Sequence, residues 1–219
     1  MPSLRASRRF FQADAPTLAR RLLGCLLVRA HPSGVRLAGG IVEVEAYCGV
    51  IDRASHAWNG RRTPRNESMY GLPGTAYVYF TYGMHHCMNV VCGDEGDPQA
   101  VLVRALAPVE GLDEMRRRRG REPERDLCSG PGKVCQAMGI DVAIDGVDLT
   151  RDDRVWVERP ARAHALEIAV GPRIGLGDVG EWGQAPLRFW VVGSEHVSRG
   201  SGGAKGRRRG PRVSSPRAG

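Results

Sequence analysis

The strongest constraint on how this chain folds is the shortness of the connections between its strand-like runs. Cys25–Ala30 and Val35–Tyr47 are separated only by His31-Pro32-Ser33-Gly34, and Tyr77–Tyr82 and His85–Cys92 meet at a tight connection around Gly83. Parallel neighbours need a crossover of about a dozen residues or more, so runs joined this closely must pair antiparallel. Ala100–Leu106 reads as another strand, and Val155–Glu158, Leu166–Val170 and Leu187–Val192 supply late ones. Helices are fewer. Asp14 and Pro16 open one, with Leu18, Leu22 and Leu23 on a single face and Gly24 as its stop. A second is expected over Pro108–Arg119, and a third opens at Ser129-Gly130-Pro131. Strands that come in hairpin pairs rather than alternating with helices predict an α+β fold. The expected form is a single domain: a bent, mostly antiparallel mixed sheet surrounded by helices, with a protruding β-hairpin.

Charge divides the chain of 219 residues into two parts. Residues 199–219 hold seven of the 32 Lys and Arg residues, six glycines and no acid, whereas residues 1–198 carry 25 basic against 24 acidic residues. The expectation is a nearly neutral folded domain over 1–198 and a disordered basic Arg/Gly-rich tail over 199–219. Such a tail suits a polyanion, nucleic acid before membrane because no apolar anchor accompanies it, or serves only as a solubilising extension. Unbroken apolar stretches, such as Cys25-Leu26-Leu27-Val28, are too short for a membrane-spanning helix. Met1–Phe11 carries Arg5, Arg8 and Arg9 without an apolar run, so no secretory signal is expected. The six cysteines (25, 48, 87, 92, 128, 135) lack the paired close spacing of a structural zinc site. A reduced cytoplasmic or DNA-associated intracellular protein with free thiols and no metal centre is the expectation.

Three stretches carry groups suited to chemistry. In Ile41–Tyr47 the alternation places Val42, Val44 and Ala46 towards the core and Glu43, Glu45 and Tyr47 on the other face. Two carboxylates beside a tyrosine, with His56 following, fit an acid/base site; they equally fit a charged outer face of a half-exposed strand. Residues 49–76 show no sustained periodicity, and a stretch of that length inside a domain is either disordered or functional. Its tryptophan, tyrosine and histidine favour function. Tyr77, Tyr79 and Tyr82 then lead to a hairpin tip bearing Tyr82, Met84, His85 and His86, planar and apolar groups placed to wedge between stacked bases. Asn89 and Arg104 stand out as polar residues in apolar runs. Arg104 needs an anionic partner, and Glu43 or Glu45 is available for a salt bridge. Gly130-Pro131-Gly132-Lys133 at a helix start lacks the spacing of a P-loop but suits a DNA backbone contact. The Arg116–Arg119 run at a helix C-terminus reads first as a solvated end.

The blocks VEVEAYCGVIDRASHAWNGRRTPRNESMYGLPGTAYVYFTYGMHHCMNVV, VLVRALAPVEG, LCSGPGKVCQAMGI and RIGLGDVGEW closely resemble, in the same order, the alkyladenine (3-methyladenine) DNA glycosylase family. The similarity extends over residues 10–195 or thereabouts. It implies a monofunctional enzyme that flips alkylated purines (3-methyladenine, 7-methylguanine and related) out of double-stranded DNA and hydrolyses the N-glycosidic bond, with no cofactor and no metal. By this resemblance Glu45 activates the attacking water, and His56 and Arg104 help to hold it. Tyr47, His56 and Tyr79 sandwich the flipped base, and Asn89 disfavours guanine. Tyr82 fills the vacated stack, with Met84 beside it at the tip. His85 departs from the bulkier aromatic that relatives can carry there, and the tail lies outside the shared region. A monomer is expected.

The residues support such chemistry independently. N-glycoside hydrolysis passes through an oxocarbenium-like sugar, so a carboxylate that orients water and offsets positive charge is needed. Alkylated purines are cationic, and electron-rich tyrosine faces attract them. Only two lysines exist, Lys133 and Lys205, and neither is close in sequence to Glu45 as a Schiff-base nucleophile. Two other readings remain: a bifunctional glycosylase/lyase using the amine of Pro2 after loss of Met1, and a non-catalytic nucleic-acid binder.

Overall fold

Every strand pair among the described residues is antiparallel, and nine strands join in one curled sheet. The computed structural model describes residues 4–198 except 32, 121 and 162–164, so both the expected disordered tail and Pro2 lie outside the described residues. In chain order the elements are β1 (Leu4–Arg5), α1 (Arg8–Phe11), α2 (Ala15–Leu22), β2 (Leu26–Ala30), β3 (Arg36–Tyr47), β4 (Ala76–Thr81), β5 (His85–Cys92) and β6 (Gln99–Glu110). They continue with α3 (Leu112–Arg119), α4 (Pro131–Met138), β7 (Val155–Arg159), β8 (Ile168–Gly171) and β9 (Arg188–Val191). The main order is β1-β7-β2-β3-β6-β5-β4, with β9 pairing both β3 and β8.

The long strand β3 bends the sheet. Its first half pairs β2, its Glu43–Glu45 segment pairs β9, and β6 runs along its other edge. Register shifts fall between Ile41 and Glu43 and between Glu43 and Val44, so Val42 on β3 and Arg104 on β6 have no direct partner in the ladder. Bulges of this kind bend a strand and re-aim side chains, which is how Arg104 comes to serve both Glu43 and Glu45.

Alternation on β4, β5 and β6 separates two apolar clusters. Ala76, Val78, Met88, Val90, Val101 and Val103 join the main core on the face covered by α2 and α4. Tyr77, Val91 and Ala100 point the other way and pack with Ala57 and Met69 from the 49–76 segment. Short 3-10 turns lie in that segment at Gly49–Ile51, Trp58–Gly60 and Glu67–Tyr70, and the buried Asn66 ties the chain on either side of the second to the start of the third. The Asn66 side chain donates to the carbonyls of His56 (3.2 Å) and Arg61 (2.8 Å) and accepts from the Thr63 amide (2.7 Å).

Helix α2 follows expectation, with the Asp14 carboxylate accepting from the Thr17 amide at 2.7 Å and Leu18, Leu22 and Leu23 buried. The helix expected over Pro108–Arg119 starts later. Strand β6 continues to Glu110, and Pro108 lies within it, opposite a register shift of β3 between Ala38 and Gly39. A proline tolerates a strand at an irregularity, where no ladder hydrogen bond is asked of it. Gly111, at φ 75° and with no room for a side chain against Leu37, then makes the turn into α3. The arginines ending α3 are not simply solvated. Arg118 and Arg119 are largely covered, and Glu114 pairs with Arg117 and Arg118 at 2.7 Å each.

Candidate active site

The face of the sheet away from α2 and α4 closes, under the 49–76 segment, around a cavity of about 510 Å³. Tyr47, His56, Tyr77, Tyr79, Asn89 and Arg104 line it, and Tyr82 reaches its mouth. This volume and largely aromatic wall suit a planar ring system of nucleobase size. Strand alternation explains the convergence. Tyr47 stands opposite Ala100, Glu45 opposite Leu102, and Tyr77 opposite Asn89, so every second residue of four strands faces one space.

Glu45 lies just beneath this lining and has no solvent-exposed surface. Its Oε1 accepts from the Ile174 amide at 2.7 Å and lies 3.2 Å from Arg104 Nη1, and its Oε2 accepts from the Tyr47 hydroxyl at 3.0 Å. Burial pushes the carboxyl above its ordinary value, while Arg104, the Ile174 amide and the Tyr47 hydroxyl pull it back down. Glu43 is equally buried but differently employed. It accepts from Arg188 Nε (2.6 Å), the Ser198 amide (2.6 Å) and the Ser198 hydroxyl (2.9 Å), and lies 3.4 Å from Arg104 Nε. Arg104 is thus pinned between two carboxylates. The reading of residues 43–47 as a charged, half-exposed outer face does not hold, because both acids are sealed inside the protein.

His56 stands across the cavity. Its Nδ1 lies 2.7 Å from the Tyr77 hydroxyl, and its ring meets Tyr79 edge-on at 4.6 Å between centroids. Its hydrogen bond therefore runs to Tyr77 rather than to Glu45. Burial, followed by Arg65 and Arg61, lowers the His56 pKa, so the ring is neutral at physiological pH and does not repel a cationic guest. Asn89 is buried and donates to the Tyr77 carbonyl at 3.1 Å.

The β4–β5 hairpin projects its tip beside the cavity mouth. Tyr82 is 80% exposed and Met84 70%, large apolar side chains offered to solvent. The Met84 amide donates to the Thr81 carbonyl at 3.2 Å, and Tyr82 and Gly83 take φ of 51° and 66°. Two left-handed residues in succession match the twist of a tight hairpin, and a tyrosine held in that region is costly. His85 abuts Gly132 at the start of α4, where a larger residue would strike its ring. The tip is therefore braced by the glycine-rich helix start that the sequence marked for a backbone contact.

Sequence reasoning singled out Glu45, Tyr47, His56, Tyr79, Asn89 and Arg104, and the fold brings them into one site. It passed over Ile174, Arg173, Asp52, Arg188 and Ser198. Arg173 and Ile174 fall in the RIGLGDVGEW block and Asp52 in the block that begins VEVEAYCGVID, while Arg188 and Ser198 fall in none, since contacts between residues 45 and 174 or 43 and 198 leave no local spacing to read. Among the described residues no group of three or more His, Cys, Asp or Glu side chains is placed to hold a metal ion, and no helix is long and apolar enough to cross a membrane.

Residues 9–195 match the family model described as methylpurine-DNA glycosylase. The DNA-3-methyladenine glycosylase of Homo sapiens is 47% identical over 199 residues, covering 86% of this chain and 66% of that protein. The protein of that name from Mus musculus is 49% identical, with 86% and 60% covered. The chain therefore spans less than two thirds of the length of these mammalian relatives. A Chlorobaculum parvum protein named "Putative 3-methyladenine DNA glycosylase" is 43% identical, with 95% of this chain and 98% of that one covered.

Proposed function

Since the chain belongs to the methylpurine-DNA glycosylase family, we propose that it is a monofunctional DNA glycosylase that excises alkylated purines from duplex DNA. The observation that carries this reading is Glu45: a fully buried carboxylate, gripped by Arg104 and the Ile174 amide, directly beneath an aromatic cavity of base size.

In this reading the flipped purine enters between Tyr47 and the His56–Tyr79 pair, and Glu45 lies on the sugar side. Water attacks the anomeric carbon as the bond to the purine nitrogen breaks, and the water proton passes to Glu45. The bonding electrons stay on the purine, so a base made cationic by alkylation leaves neutral without an acid. Arg104, the Ile174 amide and the Tyr47 hydroxyl favour the ionised form of Glu45 against its burial, and the carboxylate offsets the charge of the oxocarbenium-like sugar. Tyr82, with Met84, occupies the gap left in the stack, and neutral His56 leaves the cation–π attraction of the tyrosines unopposed. The protein acts as a monomer on intracellular double-stranded DNA. Residues 1–198 form the catalytic domain, and the basic segment 199–219 supplies salt-sensitive grip on phosphates.

The test is release of free base from a methylated duplex in the presence of a chelator. The expected products are 3-methyladenine or 7-methylguanine and an abasic strand that breaks only after alkali treatment. Strand breakage without alkali would support the lyase reading through Pro2. Duplex binding without base release would leave only a nucleic-acid binder.

A further inference from the structure

The catalytic reading uses Glu45 and Tyr47 but not the buried ion pair behind them. Arg173, with no exposed side-chain surface, grips Asp52 with both ends of its fork, Nη1 to Oδ2 at 2.6 Å and Nη2 to Oδ1 at 2.9 Å. Nη1 also donates to the Ala46 carbonyl at 2.9 Å and Nη2 to the Trp182 carbonyl at 3.4 Å. The guanidinium carbon lies 4.6 Å from the centre of the Tyr47 ring. Asp52 in turn accepts from the amides of Cys48 and Ala54, each at 3.0 Å, and so holds the start of the segment that carries His56. The residue after Arg173 is Ile174, whose amide donates to Glu45 Oε1.

One side chain therefore joins the end of β3, the His56 segment and the strand-free stretch that supplies the Glu45 amide donor. From this geometry we infer that Arg173 is a positioning residue, holding the Tyr47 ring and the Ile174 amide in register with Glu45. The inference rests on the glycosylase reading for its consequence in catalysis. Lysine is a poor substitute, since a point charge cannot hold two carboxylate oxygens, a backbone carbonyl and a ring face together.

The electrostatics give this role a signature that a mere strut lacks. Glu45 faces Arg104 from β6, Cys87 from β5, Tyr79 from β4, and Tyr47 and Glu43 on its own strand, with Arg173 as the second cation within reach. Arg188 on β9 is occupied by Glu43. Asp52→Asn leaves the guanidinium uncompensated, so the Glu45 carboxyl should titrate at lower pH than in the unaltered protein. Arg173→Lys keeps the charge near Asp52 but releases Tyr47 and the Ile174 amide, two donors that favour the ionised acid. Glu45 should then titrate at higher pH.

The experiment is isotope-edited NMR titration of the glutamate carboxyl carbons, with Glu45 assigned from the signal missing in Glu45→Gln, alongside single-turnover excision across pH. The lysine variant guards against simple unfolding, because it leaves no unpaired buried charge. Opposite displacements of the Glu45 titration in the two variants, with plateau excision down by up to about 100-fold in Arg173→Lys, are expected. Unchanged titration in folded variants, or rates that fall only with the folded fraction, would make the pair a strut and overturn the inference. Failure of the unaltered protein to release any base would overturn the function proposed above, and the titrations would still decide the role of Arg173.

Discussion

Replacing each buried glutamate by glutamine asks opposite things of the same network. In Glu45→Gln the amide oxygen can stay on the Ile174 amide and Arg104, while the new NH2 group points at the Tyr47 hydroxyl, which rotates to accept. Arg104 keeps Glu43 as its counterion. All hydrogen bonds survive and a buried charge is removed, so stability should change by less than about 1 kcal/mol. Basicity is lost completely. A general base is worth about 10²- to 10⁴-fold, or about 2.7 to 5.4 kcal/mol of barrier, and single-turnover excision should fall by that much with lesion binding retained. Glu43→Gln has no such escape. Either orientation aims an NH2 group at a donor, the Ser198 amide on one side or Arg188 and Arg104 on the other. Loss of one member of a buried pair costs about 3 to 5 kcal/mol. Urea unfolding of both variants beside excision of a methylated duplex tests this. Excision by Glu45→Gln within about tenfold of the unaltered protein would remove Glu45 as the base. Equal stability losses would refute the hydrogen-bond accounting.

Two further outcomes follow from the hairpin and the tail. Tyr82→Ala removes the exposed wedge but not the cavity, and base–aromatic stacking is worth about 1 to 3 kcal/mol; excision should slow more on a well-paired lesion than on a mismatched one, and equal losses would place Tyr82 in the pocket or in folding instead. Deleting 199–219 should weaken binding to all duplexes alike and flatten the salt dependence by about 0.9 log units per lost phosphate contact. Excision at saturating protein should stay unchanged, and identical salt titrations with and without the segment would make it inert.

Hairpin pairing, the capped α2 and the protruding aromatic tip were legible because each rests on neighbours in sequence. Short connections force antiparallel partners, and an Asp–Pro start with leucines on one face makes a helix in many surroundings. The helix expected from Pro108 failed for the complementary reason: local propensity there is outweighed by the pairing of β6 with β3, and the turn is made by Gly111, the one residue that fits against Leu37. By residue type and strand face Glu43 and Glu45 looked alike in the sequence, and only the family resemblance set Glu45 apart.

The sequence by itself determined which side chains could act, a carboxylate, an imidazole, tyrosines and an arginine, because chemical identity needs no fold. It also determined that strands would pair as antiparallel neighbours, since chain length limits what a short turn can reach. Only the tertiary structure decided that Glu45 sits under the cavity while Glu43 is consumed by Arg188 and Ser198. Only it placed Arg173 behind Tyr47. The reason is distance along the chain: contacts separated by more than 100 residues are settled by the curvature of the sheet and the bulges in β3 and β6, and no local pattern encodes them.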